Sequence, residues 1–428
     1  MTNFSGQIIT LNQHTDTPAR VEYFDAVRLT YLYDRSRDSR NANTLGQDFI
    51  AFVASDNRLA FTLCDGVSQS FFGDLSARFL GEKLTAWLRD LPFPPNEEVF
   101  AMLLSDALQS WRSEAAELVA QQPINPALPP IVRDALDRKR EYGSETMFVA
   151  GLVDIAAKTL YACYFGDMHL YLLDATNTRY ALPNAIIDTR ERWSSKTGIR
   201  NGTPHTAIVP LRDDMRIIAH SDGILSRADL LTRLTPDLLN ELARDLASAP
   251  ASDDISILEV AFVSPPELSP PLETPKPRSA SPLEPAITWD AVPNAAWYRA
   301  SLEVGKHRFT VDTDTPTLFL PVRGLSGEHL VRVCAMSNTG NHSAWSEPIT
   351  LMVTDHAPPV SPTPKPITVR KPDSRPIQVP KIEDLPPEAA PAAVSLPHRS
   401  EPTSPRLMSL LALVVAIGIA LAWFFLNF

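Results

Sequence analysis

The chain predicts an α+β fold, followed by a small all-β unit and a C-terminal membrane-spanning helix. Three observations carry this reading. Short apolar runs that suit buried strands alternate with longer stretches whose apolar residues recur at three-to-four spacing. Residues 286–353 instead hold a series of short runs with period-2 alternation. The last run, LMSLLALVVAIGIALAWFFLNF (407–428), is uncharged throughout, and about 20 apolar residues suffice to cross a bilayer.

Composition fits more than one domain. The chain has 428 residues, 44% hydrophobic and 21% charged, enough for two globular units plus linkers. The net charge of −11, without any basic run, argues against nucleic acid as a partner. Cys64, Cys163 and Cys334 are odd in number and far apart, so they form neither a disulfide framework nor a zinc spacing. Cys64 and Cys163 lie inside apolar runs and read as buried, inert thiols.

In the first part, LAFTLCDG (59–66), TLYACYFGD (159–167) and MRIIAHSDG (215–223) each end in an aspartate beside a glycine. Asp253-Asp254 opens a further strand-like run, DDISILEVAF. Strands that stop at carboxylates deliver them to a sheet edge or loop, and several such deliveries suggest convergence on divalent cations. Hard cations held by aspartates and water point to phosphate chemistry. Helical periodicity covers 75–91, 99–120 and 238–249, while 121–141 reads as a loop or insertion. Alone, Asp65 or Asp167 would read as a turn residue after a strand, and Asp222 or Asp253 as a helix cap.

Four blocks in order resemble the metal-dependent protein phosphatases of type 2C, the PPM family, over roughly residues 20–263. They are GQDFIAF (46–52), CDGVSQSFFGDLSARFL (64–80), YGSETMFVAGLVD with YFGDMHLYLLD (142–174), and HSDGILS (220–226) with SDDISILEV (252–260). The resemblance implies a β-sandwich flanked by helix pairs, the αββα phosphatase fold. It implies that Asp65 bridges two Mn²⁺ or Mg²⁺ ions and that the Gly66 carbonyl completes one of them. Asp222 and Asp253 would hold the second ion, Asp167 an optional third, and Asp48 would act through water from behind. Asp254 is the weaker half of its pair, since family members often carry asparagine there. A water shared by two such ions loses a proton readily and attacks phosphorus in line.

Several positions depart from the family pattern. The arginine that grips substrate phosphate is replaced by Asn43, with Arg40 or Arg37 as substitutes from the same loop. Gln47 stands for glutamate, and Met168 for the serine after Gly-Asp. No histidine follows Asp65-Gly66. His220, ending a strand, reads as a packed histidine before it reads as a site residue.

Proline-rich 264–285 links this part to 286–353, which looks like a fibronectin type III domain on Trp289, Ala296-Trp297-Tyr298, the run 327–335 and Asn338-Thr339-Gly340 with Trp345-Ser346. His329 stands where that family usually has a tyrosine. Residues 354–405 form a second proline-rich spacer, extended because proline lacks an amide donor and fixes φ. The run at 407–428 reads as a tail anchor. With Arg399 and Arg406 on its near side and no charge beyond, it implies a single-pass protein of the cell membrane whose N-terminal part faces the cytoplasm. Residues 1–20 are polar and do not read as a signal peptide.

The resulting expectation is a membrane-anchored serine/threonine protein phosphatase. Bacterial relatives commonly oppose serine/threonine kinases, so the expected partners are phosphorylated proteins, including such a kinase and its substrates. The alternative is a pseudophosphatase, a membrane-tethered phosphoprotein-binding or regulatory protein. A third reading makes the small sandwich the working end, binding an envelope or cytoskeletal partner.

Overall fold

The computed structural model describes residues 6–353, except 25, 56, 183–187, 234, 250–251, 264–271, 282–283, 305–306, 320–326 and 339–340. The second proline-rich spacer and the apolar C-terminal run therefore lie outside the described residues. Among the described residues no helix is long and apolar enough to cross a membrane.

In chain order the first part holds β1 (Ile9–Thr10), β2 (Thr17–Phe24), β3 (Val27–Asp34), α1 (Arg37–Ala42), β4 (Phe49–Ser55) and β5 (Arg58–Gly66). Four helices follow: α2 (Gly73–Asp90), α3 (Glu97–Ser110), α4 (Arg112–Gln121) and α5 (Pro130–Tyr142). Then come β6 (Glu145–Asp154), β7 (Thr159–Phe165), β8 (His169–Leu173), β9 (Arg179–Ala181), β10 (Arg192–Ser194), β11 (Gly198–Arg200), β12 (His205–Pro210) and β13 (Arg216–His220). A 3-10 stretch (Asp222–Arg233), α6 (Pro236–Ala247) and β14 (Ile255–Phe262) complete it.

These strands form two antiparallel sheets. One runs β1-β4-β5-β6-β10-β11, with β7 pairing both β6 and β12; the other runs β2-β3-β14-β13-β8-β9. Period-2 alternation sorts each strand's side chains onto two faces. Leu63, Phe61 and Val149 of the first sheet meet Leu29, Leu172, Ile217 and Val260 of the second in a shared core. The opposite face of the first sheet, with Phe49, Cys64, Phe148 and Trp193, packs on Leu80, Leu84, Leu88, Phe100 and Leu104 of α2 and α3. The opposite face of the second, with Leu32, Tyr171, Ile218 and Ile257, packs on Ile224, Leu239 and Leu242. The order is helices, sheet, sheet, helices.

Two helical expectations need correction. The stretch 99–120 divides at Trp111, which ends α3 and begins α4. The stretch 121–141 is no simple loop: α5 occupies its second half. That helix has no fully buried residue: Ile131 is 79% exposed, and of its short apolar stripe Leu136 packs on Phe71, Leu75 and Val119. Its signals were local: Pro130 at the first turn and Gly143 at the end, at φ 94°. Strands β9–β12 carry too little periodicity to be foreseen.

The remaining strands are β15 (Arg278–Ser281), β16 (Glu284–Thr288), β17 (Trp297–Val304), β18 (His307–Thr313), β19 (Thr317–Phe319), β20 (Gly327–Met336) and β21 (Ile349–Val353). They build a β15-β16-β19 sheet and a β18-β17-β20-β21 sheet. Ile287, Trp289 and Leu318 of one share a core with Tyr298, Ala300, Val331, Val333 and Leu351 of the other. This unit touches the first through polar pairs. Thr310 bonds the Thr10 backbone at 3.2 Å in both directions, Arg20 pairs with Asp314, and the Arg20 guanidinium lies over the Trp297 ring.

Candidate metal centre

Five carboxylates gather at one end of the larger sandwich. Asp65 is the penultimate residue of β5, Asp48 precedes β4, Asp167 follows β7, Asp222 follows β13 and Asp253 precedes β14. Each strand ends or begins where its apolar run meets the carboxylate, so the sheet itself delivers the groups. Burial pushes the Asp65 carboxyl well above its usual range, and Asp48, Asp222, Asp253 and Asp167 each add to the push. Burial likewise raises Asp48, with Asp254 and Asp253 adding, while the nearby Ser221 and Ser256 hydroxyls pull it down. Asp222 is raised by burial and then by Asp167. Asp253 stays exposed at the rim, yet crowding by protein raises it too, with Asp222 and Asp254 contributing. Like charges so close raise one another only when they share a small volume.

The arrangement fits divalent cations. Asp48 is 2% exposed, and its Oδ2 is buried without a hydrogen-bond partner; so is Oδ1 of Asp167. Buried polar atoms are ordinarily satisfied, and a carboxylate oxygen left over among other carboxylates suits a hard cation. The side chains do not form a closed cage: among the described residues no three His, Cys, Asp or Glu groups meet the geometry of a metal site.

The loop beneath the cluster is held tightly. Thr146 Oγ1 donates to the Asp65 carbonyl at 2.7 Å, and Val67 N donates to the Glu145 carbonyl at 2.9 Å. Gly66 has a reason the sequence did not reveal. A Cβ there would run into the backbone of Gly73, and a Cβ at Gly73 would meet Gly66 at 2.6 Å. The loop and the first turn of α2 thus close on each other. Phe72, just before α2, adopts φ 44°, rare for a bulky residue. Ser144 Oγ holds its carbonyl at 2.8 Å.

Other predicted residues fall in different places. Asp254 is 2% exposed and acts as a clamp: Ser36 N donates to its Oδ1 at 2.5 Å, and Gln47 N donates to its Oδ2. Asn43 caps α1 in the left-handed region, at φ 50°, a conformation asparagine tolerates better than arginine. Arg40 is committed elsewhere, its Nη1 2.6 Å from Asp34 and 3.5 Å from Asp16. His220 is fully buried, stacked on His169 with ring centroids 4.7 Å apart. Burial lowers its pKa to about 3, so it is a packed neutral imidazole.

Sequence reasoning missed Glu145 and Arg192. Glu145 pairs with Arg192 at 3.2 Å and with Arg200. At Asp167 burial raises the carboxyl, while the Arg192 guanidinium pulls it down. No sequence signal brings 145, 167 and 192 together; only the strand pairing does.

No family model matches the chain, and no curated protein does. Similar solved structures exist. RsbX in complex with magnesium is 12% identical and covers 56% of this chain and 98% of its own, with a TM-score of 0.36. The serine/threonine phosphatase Stp1 from Staphylococcus aureus is 14% identical, covering 56% of this chain and 96% of its own, with a TM-score of 0.41. Serine-threonine phosphatase 2C from Toxoplasma gondii is 10% identical, covering 58% of this chain and 98% of its own, with a TM-score of 0.40.

Proposed function

We propose that the chain is a metal-dependent serine/threonine protein phosphatase. The observation that carries this reading is the convergence of Asp48, Asp65, Asp167, Asp222 and Asp253 on one end of the sandwich, with leftover carboxylate oxygens. Asp65, the Gly66 carbonyl, Asp222 and Asp253 are the residues for two Mn²⁺ or Mg²⁺ ions, with Asp167 for a third. When bound, such ions acidify water and polarise a phosphoryl oxygen. The chain's own task is positional. Thr146 fixes the Asp65 carbonyl, and the Gly66–Gly73 contact fixes the loop behind it. Asp48, buried near Ser221 and Ser256, is placed to hold a proton or a bound water. The described cysteines are buried, and no protein nucleophile is required.

The test is phosphate release from a phosphothreonine peptide with added Mn²⁺, with Asp65→Asn and Asp222→Asn alongside. Losses of roughly 100-fold or more are expected, as for removal of a principal electrostatic catalyst. Equal turnover in wild type and variants would sink the reading.

A second reading is favoured by the N-terminal loop. Asn43 is a helix cap and Arg40 belongs to Asp34, which leaves exposed Arg37, at the first turn of α1, as the arginine of that loop. A pseudophosphatase would bind phosphoprotein without turnover. Mn²⁺ binding by calorimetry, with no release from any phosphopeptide, would support it.

The domain scheme is part of the same proposal: a phosphatase domain over 20–263, a fibronectin type III-like unit over 286–353 and a tail anchor over 407–428 at the cell membrane. Phosphoproteins at the cytoplasmic face, among them a kinase and its substrates, are the proposed partners.

A further inference from the structure

We propose that Arg192 grips the substrate phosphoryl group, the task that Asn43 and Arg40 leave undone. The inference rests on the phosphatase reading above and deepens it.

Register places the side chain. Asp65 pairs with Met147 across β5 and β6. On the other edge of β6, Phe148 pairs with Phe165 of β7, and Thr146 with Trp193 of β10. β7 therefore leaves this edge where β10 takes it up, and Gly166-Asp167 lies in the notch between them. Continuing the β10 register by one residue sets Arg192 level with Met147. Asp65, Met147 and Arg192 then form one row across three strands, about 10 Å from end to end.

Parity gives the face. Trp193 is buried against the helices, its Nε1 donating to the Leu108 carbonyl at 2.9 Å. Its neighbour Arg192 therefore projects to the other side. Leu63 and Met147 belong to the core between the sheets, so Asp65, two residues after Leu63, lies on that same side. The carboxylate bridge and the guanidinium thus share a face.

The guanidinium is oriented but not used up. Nη1 donates to Glu145 Oε2 at 3.2 Å and Nη2 to the Thr189 carbonyl at 2.9 Å. Its Nε is buried with no hydrogen-bond partner. Arg192 retains 23% side-chain exposure against 7% for Glu145, so a ligand can reach the cation but not its brace. Glu145 serves both Arg192 and Arg200, which leaves one positive charge in excess. Each Nη keeps one hydrogen beyond these two bonds, and a guanidinium so held is suited to a phosphate dianion.

The test uses the full chain in detergent, loaded with Mn²⁺, and inorganic phosphate as the probe. Calorimetry gives phosphate affinity, and electron paramagnetic resonance gives Mn²⁺ affinity. Arg192→Ala should weaken phosphate binding roughly 10- to 100-fold, as expected for lost hydrogen bonds to a charged group, with Mn²⁺ affinity unchanged. Arg192→Lys should fall between. Arg200→Ala removes the same charge from the same carboxylate and should change phosphate affinity by less than about threefold. If Arg192→Ala melts early, Arg192→Gln keeps most of the volume and carries the same expectation. Wild-type phosphate affinity in the Arg192 variants overturns the inference. So does an equal loss in Arg200→Ala, or a Mn²⁺-loaded wild type that binds no phosphate. Arg192-dependent phosphate binding without any turnover of phosphopeptide upholds the inference and removes the phosphatase reading instead.

Discussion

Arg299 on β17 donates Nη2 to Glu22 Oε1 at 2.9 Å and Nη1 to Glu22 Oε2 at 3.1 Å, joining the small sandwich to the edge of the large one. Arg299 is fully buried, and Glu22 is 2% exposed. The same guanidinium holds Asp312 at 2.9 Å and the Tyr31 hydroxyl at 2.7 Å. Burial by itself would lower the arginine's pKa, but Asp312 and Glu22 outweigh it and hold it up. A buried ion pair adds little net stability over an apolar replacement, yet removing one partner strands the other.

Arg299→Ala is therefore expected to cost about 3–5 kcal/mol, because two buried carboxylates lose their cation. Calorimetric melting should also change form. Wild type should unfold the two sandwiches together, and the variant in two separable transitions. A single unshifted transition would show that the pair does not couple them. Arg299→Met with Glu22→Gln should recover much of the loss.

Without metal, the aspartate cluster should burden the fold. Asp65→Asn removes one charge from five crowded carboxylates, so the metal-free variant should melt higher than metal-free wild type. Added Mn²⁺ should then raise wild type far more than the variant. A lower melting temperature in metal-free Asp65→Asn would contradict this.

Asp34 sets a pH dependence away from the cluster. Its pKa rises from 3.8 to about 7, through burial first and Asp16 second, against Arg40 and Arg35. A raised folded pKa means that the folded state binds the proton more tightly. That contribution to stability is complete below about pH 4 and is lost as pH rises through 7. Between pH 5 and 7 wild type should lose roughly 1–2 kcal/mol more than Asp34→Asn. Parallel urea midpoints for the two proteins across that range would count against it.

Native thiols should be silent. Cys64, Cys163 and Cys334 are all buried and unpaired. Burial raises every one, Cys334 to about 12, which leaves almost no thiolate at pH 8. A chromogenic disulfide reagent should detect no thiol in the folded protein and three in urea.

Much of this was legible in the chain. The apolar runs before Asp65, Asp167 and Asp222 did become strands, because a short continuous apolar run suits a strand buried on both faces and needs only local sequence. The silent thiols and the packed His220 follow from the same runs. Helix α5 escaped notice because its apolar stripe is short, confined to residues 131–136, and follows the proline-rich run 123–130. Strands β10 and β11 escaped because they are three residues each.

The list of carboxylates and the strands that end at them could be read from the chain alone. Alternation and chain-end chemistry are properties of neighbours along the chain. Only tertiary structure decided which groups meet. It took Arg40 for Asp34, made Asp254 a clamp, required Gly66 for its approach to Gly73, and set Arg192 in the row of Asp65. Those relations follow from sheet register and layer packing, which for Asp254 and Arg192 join residues more than a hundred positions apart.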